Sequence, residues 1–238
     1  MEKIIVLTTA FNCEEYLERC LTSIQLQSYK DFVCYITDDM STDNTCDIAE
    51  KFIEKDDRFI LVKNKTKHYQ PGNYDQILRN TEHPDDSIVI EVDGDDWLAH
   101  PQVFEKVVEE HKKGFWITQG SFQYSDGRPG FARPFSVKDL RSDPNLNATH
   151  LRTWRVKLWR AIDVEDLKFN DDYAETAGDV FFMLPMLEMA GDHRVKFMRE
   201  ILYVYNEENP INDHKVDISK QWRYARAGRM KSPYKELN

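Results

Sequence analysis

The sequence has no long apolar run and few cysteines. No segment reaches the roughly 18 consecutive apolar residues that a membrane-spanning helix requires. The opening stretch MEKIIVLTTAFNCEE also lacks the longer apolar region and the cleavage site of a signal peptide. The four cysteines lie within the first 46 residues, at spacings that fit no zinc pattern. We therefore expect a cytoplasmic protein whose thiols are free and mostly buried.

An excess of positive charge is missing as well. The 32 Lys and Arg residues are outnumbered by 42 Asp and Glu, and the net charge of −10 argues against general nucleic-acid binding. Residues 215–238 differ, with seven basic and two acidic residues and a net charge of +5. Four basic residues recur there at three-residue steps and are predicted to form one helical stripe: Lys220, Arg223, Arg226 and Arg229. This basic tail is either a solvated helix face or a contact for an anionic membrane surface or acceptor.

Apolar segments alternate with helical patterns along the first half of the chain. Strands are predicted at residues 4–7, 32–36, 59–62 and 87–92, with late strands at 195–197 and 201–204. Asn12 and either Ser41 or Asp43 are the predicted caps of the first two helices. Further helices are predicted at 73–80 and within HPQVFEKVVEEHKKG, LRTWRVKLWRAI and GDVFFMLPMLEMAG. Because the strands are apolar almost throughout, helices should cover both faces of a mostly parallel sheet.

Polar clusters follow three of these strands: TTAFN after the first, TDD after the second and DGDD after the fourth. In an open parallel α/β sheet the carboxyl ends of the strands border the ligand crevice, so the three clusters should meet there. Asp93 and Asp95 are separated by one small residue and can aim at one point, which suits a Mg²⁺ ion that also contacts substrate phosphates. An acidic surface turn is the alternative. An EF-hand is disfavoured because Phe104 occupies the twelfth position, where a bidentate Glu is required.

The ordered set IVLTTAFNCEEYLERCLTSIQLQSYKDFVCYITDDMSTDNT, GNYDQILRN and IVIEVDGDDWL resembles the family-2 nucleotide-sugar glycosyltransferases. The resemblance is close over about the first 100 residues and continues through THLRTWRVKLW, AGDVFFMLPMLEMAG and ILYVYNEENP. It implies the GT-A fold, a Rossmann-like, mostly parallel α/β sheet flanked by helices, with a C-terminal acceptor-side extension. It further implies one catalytic domain at residues 1–214, with a nucleotide-binding half at 1–100 and an acceptor-side half at 101–214, before the basic tail at 215–238.

The resemblance also implies the nucleotide contacts, which are Thr9, Phe11, Glu14, Asp39, Arg79 and Asp93. The first two would border the base and ribose, and Asp39 matches the family's uracil- or ribose-binding aspartate. Asp95, with Asp93 beside it, would bind a Mn²⁺ or Mg²⁺ ion that bridges the diphosphate. Asp96 is expected to be structural.

A carboxylate at the start of a late helix is the general base in the family, and AGDVFF makes Asp179 the candidate. Gly178 stands where the family usually has a second acidic residue, and Glu175 is the alternative base. Further candidates for donor or acceptor contacts lie together in THLRTW: His150, Arg152 and Trp154.

Each of these further candidates has two interpretations. Arg152 would contact the diphosphate, or it would only donate hydrogen bonds within a loop. His150 would bind phosphate or metal, or it would likewise hold the loop. Trp154 belongs to the core or to an acceptor platform. His214 would complete the metal shell or lie on the surface.

These parts imply an inverting, metal-dependent transfer of a single sugar from a UDP-sugar to an acceptor hydroxyl, by one base-assisted displacement. The acceptor, whether glycan, lipid-linked or protein, is left open. The QxxRW motif of processive members is absent, since QWRYAR has the wrong spacing, so polymer synthesis is disfavoured. The alternatives are a non-catalytic nucleotide-sugar-binding module and a sugar-1-phosphate nucleotidyltransferase. The latter would need a glycine-rich basic loop, whereas TTAFNCEE is acidic and lacks glycine.

Overall fold

Strands and helices alternate through the computed structural model, which describes residues 2–144 and 148–238. The strands are β1 Ile4–Ala10, β2 Phe32–Asp38, β3 Phe59–Lys63, β4 Ile88–Glu91, β5 Trp97–Leu98, β6 Ile117–Tyr124, β7 Thr153–Arg155, β8 Lys168–Phe169, β9 Asp172–Tyr173 and β10 Val195–Tyr205. The helices are α1 Leu17–Gln25, α2 Thr45–Ile53, α3 Tyr69–Asn80, α4 Val103–Lys112, α5 Val156–Arg160, α6 Gly178–Ala190, α7 Asp213–Val216 and α8 Ile218–Met230.

The main sheet has eight strands in the described chain, in the order β3-β2-β1-β4-β7-β6-β10-β5. The first four are parallel, which confirms the parallel arrangement predicted for the first half. Strand β7 is antiparallel to both of its neighbours, β10 is parallel to β6, and β5 closes the edge in the antiparallel direction. Strands β8 and β9 form a small separate hairpin.

Two apolar cores lie on opposite faces of this sheet. Along β1, Ile4 and Val6 face the core formed with α1, α2 and α4, whereas Ile5 and Leu7 face the core formed with α3, α5 and α6. Side chains alternate between the two faces of a strand, so a strand covered on both faces must be apolar at every position. This requirement explains the continuous apolar runs in the sequence.

The first helix does not begin as predicted. Asn12 lies in the left-handed region (φ 46°), and α1 begins five residues later, at Leu17, with no side-chain cap. The Asn12 side chain instead accepts a 2.8 Å hydrogen bond from the backbone N–H of Thr42. The predicted cap therefore joins the loop after β1 to the loop after β2. In α2 the N-cap position is Asn44, while Asp43 accepts from the N–H of Thr45 at 3.0 Å.

Residues 153–155 were predicted to be helical and are a strand instead. In β7, Trp154 pairs with Val89 on one side and with Ile117 on the other. Two neighbouring strands supply hydrogen-bond partners that local periodicity does not reveal, so the helix α5 begins only at Val156. Further on, the two predicted late strands form the single strand β10, with a register shift between Met198 and Tyr203.

The basic residues of α8 do not form the predicted stripe. Successive steps of three residues drift around a helix of 3.6 residues per turn, so the four side chains spread over different faces. Lys220 forms an ion pair with Glu175, Arg229 faces a cleft described below, and Arg223 and Arg226 are exposed. The opposite face of α8 packs against α6. The side chain of His214 lies outside the described part of the chain.

Within residues 2–144 and 148–238, no helix has both the length and the apolar character that crossing a membrane requires.

Candidate active site

A cleft of about 680 Å³ opens at the carboxyl ends of β1, β2 and β4. The loops after these strands form one side of it, and the start of α6 and one face of α8 form the other. This is the edge of a parallel sheet where the three polar clusters of the sequence were expected to meet. Eight of the predicted site residues line this cleft: Thr9, Phe11, Asp39, Asp93, Asp95, His150, Arg152 and Asp179.

Three other predicted site residues make contacts outside the cleft lining. Glu14 accepts hydrogen bonds from the backbone and side-chain nitrogens of Asn44, at 2.8 and 2.6 Å. Trp154 is fully buried and stacks on Trp159 in the core. These two side chains fix the loops and the core around the cleft.

Arg79 is the third of these residues. Its guanidinium binds the Asp75 carboxylate at 2.6 Å and the carbonyl of Ile162 at 2.6 Å. The four-residue spacing of Asp75 and Arg79 on a helix was the sequence signal for this ion pair. The predicted contact of Arg79 with a nucleotide has no support in this geometry, because these bonds hold its guanidinium against the chain near the end of α5.

The side of the cleft next to β1 and β2 combines an aromatic ring with a buried carboxylate. Phe11 is 38% exposed, and the Lys67 ammonium lies 2.9 Å from the centre of its ring. Burial lowers the pKa of Lys67. Asp39 is buried and accepts hydrogen bonds from the backbone N–H groups of His68 and Tyr69, at 2.9 and 3.0 Å. Lys67 was missed by sequence reasoning because it belongs to no motif.

Four acids lie within the six residues from Glu91, the last residue of β4, to Asp96, and their crowding is the main electrostatic feature of the cleft floor. Glu91 is fully buried, and burial raises its pKa to about 7. Burial, followed by repulsion from Glu91 and Asp95, raises the pKa of Asp93 well above its ordinary value. Burial and repulsion from Asp95 do the same to the pKa of Asp96. A bound cation would offset this repulsion.

Asp96 has the structural role expected from the sequence. Its carboxylate accepts hydrogen bonds from the Tyr203 hydroxyl and from the backbone N–H of Asn206, both at 2.7 Å. Asp95 is more open, and Asn209 donates to it at 2.7 Å. Asn209 was not identified from the sequence, since nothing in NEENP indicates that the chain returns to the DGDD loop.

Two sets of side chains in the described chain could hold a cation, and both include Asp93. Ligand atoms of Glu91, Asp93 and His150 lie within 4.8 Å of one another. However, an Arg152 nitrogen lies 2.8 Å from Glu91, and a fixed positive charge there disfavours a divalent ion. The more open pair of Asp93 and Asp95 has only carboxylate oxygens and fits Mg²⁺ or Mn²⁺ better.

Asp179 lies at the start of α6, where the helix dipole favours a carboxylate. Arg152 donates a hydrogen bond to Asp179 at 2.7 Å. The Asp179 side chain is 28% exposed, toward the cleft. Burial opposes the charge of Arg152, but the neighbouring carboxylates of Glu91 and Asp179 outweigh it and raise the Arg152 pKa.

Gln70 is another residue that the sequence did not reveal. Its side-chain nitrogen donates to Glu91 at 2.9 Å and to Asp93 at 3.2 Å.

Gly178 lets the start of α6 approach α3 closely. A Cβ atom added there would lie 2.9 and 3.0 Å from Cδ and Cγ of Pro71, closer than van der Waals contact allows. This close approach leaves no room for an acidic side chain at position 178, where the resemblance implied one.

We therefore expect Gly178→Ala to destabilise the protein. Helix propensity alone would favour Ala by up to about 1 kcal/mol, whereas overpacking against a rigid proline ring costs about 1–3 kcal/mol. Urea denaturation of the variant and the wild type measures the difference. A variant more stable than the wild type would contradict the close packing of α3 and α6.

A third part of the cleft lining, next to β6 and β10, is largely aromatic. Phe131 is 64% exposed and packs edge-on against the buried Phe122, with ring centres 5.4 Å apart. Tyr124 and Tyr205 pack against Phe122 and complete this wall, and Trp222 lines the cleft from α8. Exposed rings lining a cleft offer flat apolar surfaces on which a ligand can stack.

Comparison with known proteins identifies the family. Residues 5–165 match glycosyl transferase family 2. The chain is 30% identical over 147 residues to a Campylobacter jejuni GalNAc(5)-diNAcBac-PP-undecaprenol β-1,3-glucosyltransferase, covering 62% of this chain and 46% of that protein. The chain spans about half the length, or less, of the first curated relatives it matches.

The fold is shared with solved structures, among them the following two. The structure of S. aureus TarS 1–349 in complex with UDP-GlcNAc has a TM-score of 0.71 and 19% identity, over 93% of this chain and 64% of that one. A Pyrobaculum calidifontis mannosyltransferase, PcManGT, in complex with GDP-Man and Mn²⁺, has a TM-score of 0.60 and 15% identity, over 94% of this chain and 61% of that one. These likenesses confirm the predicted GT-A fold. With a match over most of its length, the chain belongs to glycosyl transferase family 2.

Proposed function

We propose that this chain transfers a single sugar from a UDP-sugar to an acceptor hydroxyl, with inversion at the anomeric carbon and with a divalent metal ion. The observation that carries the proposal is that one cleft contains the loops after three parallel strands, a cluster of buried acids and a separate carboxylate, Asp179. The family match and the UDP-GlcNAc complex of the TarS structure support this assignment.

The donor nucleotide would bind beside β1 and β2. The exposed ring of Phe11 offers a stacking surface for the base, and Thr9 and Asp39 line the same part of the cleft. Lys67, beside Phe11, adds a positive charge that suits the diphosphate or the carbonyl groups of a pyrimidine.

Asp95 and Asp93 would hold a Mn²⁺ or Mg²⁺ ion. Carboxylate oxygens are the ligands these hard cations prefer, and the crowded acids after β4 gain from a cation that neutralises them. When bound, such an ion supplies positive charge to the departing diphosphate. The Mn²⁺ in the Pyrobaculum structure supports a metal in this fold.

Asp179 would act as the general base. Its carboxylate is partly exposed to the cleft, lies at the start of α6 and is held by Arg152 at 2.7 Å. It would take the proton of the acceptor hydroxyl as the oxygen attacks the anomeric carbon and the bond to the nucleoside diphosphate breaks. One displacement from the opposite face inverts the anomeric configuration. The aromatic wall would hold the acceptor beside this carboxylate.

Calorimetric titration tests the donor assignment. We expect UDP to bind the wild-type protein more tightly than GDP in the presence of Mn²⁺, and EDTA to weaken that binding by about tenfold or more, because charge neutralisation at the diphosphate is lost. Tighter binding of GDP would contradict the UDP-sugar assignment. Binding of UDP that EDTA leaves unchanged would contradict the metal site.

We also propose that α8 contacts an anionic membrane surface. Its residues, ISKQWRYARAGRM, include no acid, although the whole chain has a net charge of −10. Its solvent-facing side exposes Ile218, Trp222 and Met230 together with Arg223 and Arg226. Exposed apolar and basic side chains on one helix face are typical of interfacial helices. Trp222 also lines the cleft, so docking there would bring a lipid-linked acceptor, such as the undecaprenol-linked one named for the Campylobacter relative, close to Asp179.

Reversing two charges on α8 tests this contact. We expect the double variant R223E/R226E to lose at least about tenfold in affinity for phosphatidylglycerol vesicles, since each basic residue near such a surface contributes about 1 kcal/mol. Co-sedimentation across a salt series measures the affinity. The matched control is K51E/K55E, which changes an exposed lysine in the last turn of α2 and another in the turn that follows it. Equal losses in both double variants, or salt-insensitive binding, would refute docking through α8.

A further inference from the structure

Arg152 joins the floor of the cleft to Asp179. It is 7% exposed, and all three of its guanidinium nitrogens donate hydrogen bonds within the protein. Its Nη1 lies 2.8 Å from Oε1 of Glu91, its Nη2 lies 2.7 Å from Oδ2 of Asp179, and its Nε lies 2.9 Å from the carbonyl oxygen of Ala148. The three side chains come from β4, from the segment leading into β7, and from α6.

The orientation of Arg152 is fixed by the protein before any ligand arrives. Glu91 is fully buried, so its contact with Arg152 is shielded from water and its charge needs a partner. The guanidinium is planar, and two of its nitrogens are held by Glu91 and Ala148. The direction of the third nitrogen is then determined. That third nitrogen binds Asp179.

We propose that Arg152 is a positioning residue, anchored by Glu91, that sets the rotation of the Asp179 carboxylate toward the acceptor. The inference rests on the proposed function, in which Asp179 takes the acceptor proton. The same carboxylate has a second contact, with the backbone: the N–H of Val180 donates to Oδ1 of Asp179 at 3.0 Å. This role differs from the diphosphate contact expected for Arg152 from the sequence. A diphosphate contact acts on donor affinity, whereas positioning acts on turnover.

The test removes the buried charges as a pair. Removing Arg152 alone would leave Glu91 unpaired in the interior, which destabilises the fold, whereas replacing both partners is often tolerated. The double variant E91Q/R152M therefore removes the contact that positions Asp179 without leaving an unpaired charge in the interior. Arg152→Lys keeps the charge but lacks the planar fork. Its matched control is Arg155→Lys, a second 7% exposed arginine near by, whose ion pair with Glu2 lies away from the cleft.

The readouts are UDP affinity and the steady-state rate of UDP release from whichever UDP-sugar the wild type turns over fastest. We expect both Arg152 variants to bind UDP within about twofold of the wild type. We expect kcat to fall by about 10²-fold, with KM for the donor nearly unchanged, because small misplacement of a reacting group costs about that much. Arg155→Lys should match the wild type in both readouts.

Other results would overturn the inference. A tenfold loss of UDP affinity with kcat retained would assign Arg152 to the diphosphate. A kcat equal to that of the wild type in E91Q/R152M, while Asp179→Asn is inactive, would remove the positioning role and leave the proposed function standing. Failure of the wild type to release UDP from any UDP-sugar would contradict the proposed function itself.

Discussion

Replacing Asp179 by Asn should lower the rate of sugar transfer by about 10²–10⁴-fold, the range that general-base catalysis contributes. The amide keeps the size of the side chain but cannot accept the acceptor proton. The affinity for UDP should stay within about twofold, because the proposed donor contacts lie after β1, β2 and β4 and Asp179 lies at the start of α6. Coupled detection of UDP release measures the rate, and calorimetry measures the affinity.

Glu175→Gln is the matched comparison for this variant. Glu175 also lines the cleft, and it was the alternative base in the sequence, but its carboxylate is ion-paired with Lys220. We expect this substitution to change turnover far less than Asp179→Asn. If Glu175→Gln abolished transfer while Asp179→Asn did not, the assignment of the base would be wrong.

Replacing Asp95 by Ala is expected to remove the dependence of UDP binding on Mn²⁺. Asp95 is one of the two acids proposed to hold the ion, and repulsion from it helps to raise the pKa of Asp93. Without the metal ion, the transition state loses several kcal/mol of charge stabilisation at the diphosphate. Turnover should therefore fall by at least about 10²-fold. UDP titrations with Mn²⁺ and with EDTA, together with turnover rates, measure both effects.

The control for Asp95→Ala is Asp57→Ala, which removes an exposed acid at the other end of the sheet. This variant should keep the Mn²⁺ response of the wild type. If Asp95→Ala also kept that response, the ion would have to be held elsewhere, and Glu91, Asp93 and His150 would be the next candidates.

Much of the fold was predictable because its first half is built from local patterns. Strands β1, β2 and β4 are buried on both faces, so their sequences are continuous apolar runs, and each ends in a polar cluster that has to face the crevice. The positions of Asp39, Asp93 and Asp95 in one cleft follow from this arrangement. The same reasoning identified α6 and its end at Gly191.

The second half was less predictable because distant partners decide its structure. Thr153–Arg155 forms a strand since β4 and β6 lie on either side of it, and no local pattern records those neighbours. Likewise, the ion pair of Arg152 and Glu91 joins residues 61 positions apart. Gln70 and Asn209 reach the acid cluster from segments without a recognisable motif.

Two side chains have a local partner that differs from the contact expected from the sequence. The resemblance to the family suggested a nucleotide contact for Arg79. In the structure its guanidinium forms an ion pair with Asp75, one helical turn earlier. Asn12 was expected to cap a helix, and a neighbouring loop uses its side-chain oxygen instead. In both cases the residue type was suited to the expected contact, and a competing hydrogen bond decided the outcome.

The most direct test of the central claim is release of UDP by the wild-type protein from a panel of UDP-sugars. We expect release from at least one UDP-sugar in the presence of Mn²⁺, and we expect EDTA to stop it. The reason is that the ion held by Asp93 and Asp95 would stabilise the negative charge of the leaving diphosphate. UDP that binds without release from any sugar would indicate a nucleotide-sugar-binding module. Release that EDTA leaves unchanged would contradict a metal-dependent transferase.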